Sequence, residues 1–223
     1  MLRNHGRALS QWNIDNTIGS ISVICSQKGP SLRPNRAGTV YHHLCALIKT
    51  ILLSHRLRLQ GRFHLVVQVM QALLHCLFTP LPHTSIKSLK HISTPPWLPY
   101  TFPSPLKAAH AAAYARLVTL ICDPTVSSVS RGSLNNLTSS TDKAKHVAGQ
   151  HMKFILTSYI KLQLEMRMKP EMRQELVPAL YAIFDTTSVE GRKGVSDGLD
   201  ASGRSVFGTL WREYVKFGKW KGA

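Results

Sequence analysis

The side chains able to do chemistry in this chain are mostly cations. Arg56, Arg58, Arg62 and His64 crowd one short stretch, HRLRLQGRFH, and Lys216, Lys219 and Lys221 crowd the C-terminal end. Groups at that density form charge-assisted hydrogen bonds to phosphate oxygens, so both clusters are candidate polyanion contacts. The first has a structural reading too, since cations near a helix C-terminus stabilise it by about 0.3–1 kcal/mol each. Catalytic constellations fail on spacing. Residues 198–204, GLDASGR, lack the GxxxxGK pattern of a phosphate loop, and Asp200, Ser202 and Arg204 read more simply as helix-start residues. His42 and His43 are adjacent and so point to different sides of a helix, with no carboxylate at ligand spacing. Gly-x-Ser-x-Gly is missing. The expectation is a protein without enzymatic activity, cofactor or metal site.

Nucleic-acid reading motifs are missing as well: no aromatic RNP pattern, no KH-type GXXG, no zinc knuckle. Basic charge without such a motif implies backbone contact or proximity to a polyanion, not sequence recognition. The charge itself is large, 28 Lys and Arg against 11 acids, a formal +17. It is also uneven. Up to Cys122 thirteen bases face one acid, Asp15, a net +12; beyond it fifteen bases face ten acids, a net +5. Such an excess favours a nucleic-acid-rich setting.

The elements that must position these groups read as helices. In residues 148–184, Met152, Ile155, Tyr159, Leu162 and Met166 recur three and four apart, and Met172, Leu176, Ala179, Leu180 and Ile183 repeat the pattern. Lys169-Pro170 breaks the run, and Pro170 can open the second helix, with Pro178 kinking it. Two stripes joined so closely predict a helical hairpin whose faces meet.

Residues 1–38 show no strong period and read as a poorly ordered basic segment; 39–223 read as one helical domain. Thr39 is the expected cap of a helix carrying Leu44, Leu47, Ile48 and Ile51, and Val66, Val69, Met70, Leu73 and Leu77 mark the next. Seven prolines between Thr79 and Pro105 make an extended loop, with Trp97, Leu98, Tyr100 and Phe102 packing it down. Ser104-Pro105 is expected to open an alanine-rich helix ending at Asp123-Pro124, and Ser140 or Thr141 to cap the helix entering the hairpin. At the end, Val206, Phe207, Leu210, Trp211, Tyr214 and Phe217 predict a helix that docks on the core. Trp211, Tyr214 and Trp220 are also candidate partner-docking aromatics.

Cys25, Cys45, Cys76 and Cys122 are widely spaced and suggest core thiols rather than a disulfide framework or zinc site. The longest apolar run, near Leu44–Leu53, is too short to span a bilayer. The opening MLRNHGRALS is weakly similar to a mitochondrial transit peptide.

Four blocks in order resemble one family. AGQHMKFILTSYIKLQLE, ALYAIFDTTS and LDASGRSVFGTLWREYVKFGKWKG look like the end of the fungal Urb2/Npa2 (unhealthy ribosome biogenesis) family, and HRLRLQGRFHLVVQVMQALLHCLF like an earlier block. The similarity runs from about Arg33 to Ala223. It implies an all-α, α-solenoid-like (armadillo- or HEAT-like) C-terminal domain of a longer chain; the first 30 or so residues lack a clear counterpart, which leaves Met1 as either an internal or a wrongly assigned start. It further implies a nucleolar factor of early large-subunit (pre-60S) assembly and pre-rRNA processing, partnered by a large helical scaffold protein and a DEAD-box RNA helicase. The alternative is an autonomous RNA-binding module contacting phosphates without sequence specificity.

Overall fold

Proline and glycine set where the chain breaks, and apolar side chains three and four apart set where it coils. The computed structural model describes residues 9–81, 94–98, 104–125, 129 and 137–218. Among these, eight α-helices form: α1 (Gln11–Ile24), α2 (Ala37–Ser54), α3 (Phe63–Cys76), α4 (Ala108–Cys122), α5 (Leu137–Glu165), α6 (Pro170–Thr186), α7 (Val189–Asp197) and α8 (Ala201–Glu213). A two-stranded antiparallel ribbon pairs β1 (Thr79–Pro80) with β2 (Met166–Arg167). The all-α expectation holds.

The helices stack in two layers. α1 packs on α3, α3 on α5 and α5 on α7, while α2 packs on α4 and α4 on α6. This alternation is that of an α-solenoid. Helices α2, α4 and α6 run parallel. Gly38 at the start of α2 abuts His110 at the start of α4, and Arg56 just after α2 reaches Leu120 and Ile121 at the end of α4. One apolar cluster runs from Ile14 to Tyr214. Within it, the buried Tyr41 and Tyr114 donate hydroxyl hydrogen bonds to the carbonyls of Leu73 (3.2 Å) and Met70 (3.0 Å), tying α2 and α4 to α3. All four cysteines are free and buried. Burial pushes the Cys45 and Cys122 thiols up to about 12, which makes them inert packing groups.

Residues 137–186 form the predicted hairpin, and both apolar stripes are buried. Lys169 is extended (φ −63°, ψ 140°), Pro170 opens α6, and the helix continues through Pro178. Its packing differs from expectation. α6 lies most extensively on α4 rather than on α5, because the alanines of α4 let the two axes approach closely. α5 in turn meets the end of α6 at Gly149, where an added Cβ would lie 1.9 Å from the Thr186 carbonyl oxygen.

Several boundaries also move. Segment 1–38 is not poorly ordered throughout: α1 is capped by Ser10, whose side chain accepts from the Asn13 amide, and Ile14, Ile18 and Ile21 are fully buried. Three isoleucines at steps of four and three suffice, though polar residues and Gly19 dilute the pattern. Thr39 is not a cap; α2 follows a 3₁₀ turn, Pro34–Arg36, and starts two residues earlier. Lys107, not Ser104, precedes α4, and α5 begins at Leu137, before Ser140. Trp97 is buried completely and its indole N–H donates to the Ile24 carbonyl at 2.7 Å, with Leu98 buried beside it. Tyr100 and Phe102 lie outside the described residues. Ser188 and Asp200 cap α7 and α8, accepting from the amides of Gly191 (3.0 Å) and Gly203 (2.8 Å).

Candidate nucleic-acid interface

The stretch from His55 to His64 links α2 to α3 through a 3₁₀ turn, Arg56–Leu59, and reverses at Gly61, whose positive φ of 74° favours glycine. This turn decides where each cation goes. Arg56 is only 7% exposed. Its two terminal nitrogens donate to the carbonyls of Leu120 (2.9 Å) and Ile121 (2.8 Å), groups that the end of α4 leaves without helical partners. Burial lowers its pKa from the usual guanidinium value. Arg62 donates from Nε to the Asp15 carboxylate at 2.7 Å, and Gln11 donates both to Asp15 (2.8 Å) and to the Arg58 carbonyl (3.1 Å). Arg58 itself donates to the Leu9 carbonyl.

Of the expected phosphate-contacting corner, Arg56 is taken into the fold, while Arg58 and Arg62 stay half-buried. Arg56, Arg58 and Arg62 are close together, but each is drawn to an internal acceptor, and together they fasten α1 and α4 to the α2–α3 link. Only His64 of that set is exposed. Beside the corner lies a cleft of about 430 Å³, lined largely by apolar groups such as Leu57, Leu59, Phe63 and Val147, with Lys143 at its edge.

The C-terminal candidates divide in the same way. Tyr214 is buried, and its hydroxyl donates to the Asp185 carboxylate. Burial and that carboxylate push its pKa up to about 12. Trp211 is half-buried, with its ring 5.3 Å from that of Phe184 and the Arg192 guanidinium 5.0 Å over its face. These two aromatics dock α8 on α6, which gives both a role in the fold. Lys216 is exposed beside the Phe217 ring (5.0 Å), and Phe217 and Val215 are exposed. Lys219, Trp220 and Lys221 lie outside the described residues.

A second basic region went unnoticed in the sequence. The residues immediately preceding α2, α4 and α6 are Arg36, Lys107 and Lys169, and none caps its helix with a side-chain acceptor. Lys107, Arg167 and Lys169 line a cleft of about 480 Å³ together with Ala108, Pro170 and one carboxylate, Glu171. Lys169 donates to the carbonyls of Ser104 (2.9 Å) and Leu106 (3.4 Å). Next to Lys107, His110 accepts from the Lys107 amide at 2.9 Å and sets its ring edge against Tyr41. Burial lowers the His110 pKa, and the charges of His42 and Lys107 act in the same direction. The signal that could have found this region is a cation at a helix-start position where Ser, Thr, Asp or Asn is usual. Among the described residues, no group of three or more His, Cys, Asp or Glu is placed to hold a metal ion.

Comparison with known proteins adds the lineage. The probable nucleolar pre-ribosomal-associated protein 2 of Schizosaccharomyces pombe is 21% identical over 210 residues. That alignment covers 93% of this chain but only 16% of the relative. No solved structure matches. The Urb2/Npa2 family model matches residues 1–223, so the similarity starts at the first residue and not near Arg33: the chain belongs to the Urb2/Npa2 family.

Proposed function

We propose that the chain is a non-enzymatic docking module of precursor ribosomal particles, acting in early large-subunit assembly and pre-rRNA processing in the nucleolus. Family membership and the name of the S. pombe relative support the ribosomal setting. The observation that carries the docking role is the two-layer helical stack, which presents an extended surface of the kind that solenoids use for binding. The partners proposed are a large helical scaffold protein and a DEAD-box RNA helicase, as the family resemblance implies. A mitochondrial role has only the first ten residues in its favour.

A pull-down of the tagged chain from nucleolar extract, with and without nuclease, tests this reading. Large-subunit precursor proteins should stay bound after nuclease. Loss of all of them would mean that RNA alone holds the chain, and recovery of none would remove the docking role.

A second reading, direct contact with RNA phosphates, is favoured by one observation. Between residues 16 and 122 the sequence holds no Asp or Glu, so α2, α3 and α4 bring no carboxylate to the surface.

A further inference from the structure

We infer that Arg36, His42, Lys107 and Lys169, aligned along the edge where α2, α4 and α6 begin, form a track that binds the phosphodiester backbone of RNA. The proposal deepens the second reading above and rests on it for RNA as the source of phosphate.

Parallel stacking of α2, α4 and α6 brings these groups together although they span 134 positions of sequence, from 36 to 169. Gly38 touches His110, placing the starts of α2 and α4 side by side, and Ala108 and Pro170 share the 480 Å³ cleft, placing α4 beside α6. Packed helices lie about 8–10 Å apart, so a phosphate chain crossing the edge meets a cation at each helical step. Glu171 is the one carboxylate lining the cleft.

The charges are placed against local preference. α1, α7 and α8 begin with Ser10, Ser188 and Asp200, each accepting an amide hydrogen bond. α2, α4 and α6 begin with cations at the positive end of the helix dipole, an arrangement unfavourable in the isolated fold. Local rules are broken in this way where function requires it. A bound polyanion would reverse the sign of the effect at three helices together.

The test is fluorescence anisotropy with the full chain and a labelled oligouridine across a salt series. Replacing two contacts with R36A/K107A should weaken binding roughly tenfold at low salt and reduce the salt slope by about 1.4. The equally charged control K193A/R204A, on α7 and α8, should bind as wild type. Lys107→Ser, which removes the charge and supplies a cap, should lose affinity in the same direction and melt no lower than wild type. Equal losses in the edge and control variants would show diffuse charge attraction and overturn the track, as would a wild-type chain that binds no RNA. Protein docking is read separately, from the nuclease-treated pull-down with R36A/K107A. That arm should match wild type, so the track and the docking role can fail independently.

Discussion

At the link between α2 and α3, Arg56, Arg58 and Arg62 all reach internal acceptors, whereas at the opposite ends of α2, α4 and α6 Arg36 and Lys107 stand exposed. The two regions contain the same residue types. Arg58 and Arg62 are held by the Leu9 carbonyl and the Asp15 carboxylate, and for Arg56 the difference is helix polarity. A helix C-terminus leaves carbonyls without partners and draws a guanidinium inward, as Leu120 and Ile121 draw Arg56. A helix N-terminus offers only N–H donors, so a cation there finds no acceptor on its own helix. Lys169 marks the boundary: it satisfies two loop carbonyls and still lines the cleft. Cation density in a sequence therefore says little about availability until the ends of the helices are known.

The hardest blow to this contrast is Arg56→Ala. It strips two charge-assisted bonds from buried carbonyls and should cost about 2–4 kcal/mol. For a domain of this size that lowers Tm by roughly 2–4 °C per kcal/mol. Arg56→Lys should recover little, since an ammonium cannot fork to two carbonyls. Oligouridine affinity of the folded variant should be unchanged; a large loss would return Arg56 to the interface. R36A/K107A should show the converse, with affinity lost and Tm kept.

Lowering the pH should cost stability. Burial lowers the pKa of His75, His110 and His151 from the ordinary 6.5. Below that value the unfolded chain takes up protons that the folded chain refuses, so stability is full above pH 6.5 and falls as the pH drops through it. Thermal melts at stepped pH check the sign, and His75→Gln should flatten part of the slope.

How far the sequence could be read follows from how local each interaction is. The α5–α6 hairpin was legible because Met152 to Met166 and Met172 to Ile183 repeat within a few turns of themselves. α1 was hidden by the polar residues and Gly19 set among Ile14, Ile18 and Ile21, though Ser10 ahead of three spaced isoleucines was a usable sign. The role of Arg56 was not legible. Its acceptors lie 64 and 65 residues away, and only the parallel packing of α2 and α4 brings them near. Trp211 and Tyr214 pointed correctly to a helix docked on the core, but the Asp185 and Arg192 contacts that turn them inward come from α6 and α7. The cationic edge was missed because each of its members looks ordinary alone.

Asp15→Asn tests the same contrast from the other side. The Asp15–Arg62 pair is partly exposed, with side chains 27% and 41% accessible, so its loss should cost only about 0.2–1 kcal/mol. It releases the Arg62 guanidinium, however, at the corner where a phosphate contact was first expected. Oligouridine affinity should rise modestly, and R62A added to it should cancel the gain. A rise that survives R62A would mean that the lost negative charge acts at long range and that the corner gains no new contact.

The last expected effect has the opposite sign for stability. Lys107 has the extended backbone of a good cap (φ −124°, ψ 172°), so Lys107→Asp can accept from the first-turn amides of α4 and complement its dipole. The gain should be about 0.5–1 kcal/mol, read as a small rise in Tm. The same change removes a cation from the track and adds an anion, so oligouridine affinity should fall further than with Lys107→Ala. Stability up and affinity down is the result that separates a cation kept for a ligand from one kept for the fold. A lower Tm would place Lys107 with Arg56, as a residue that the stack itself requires.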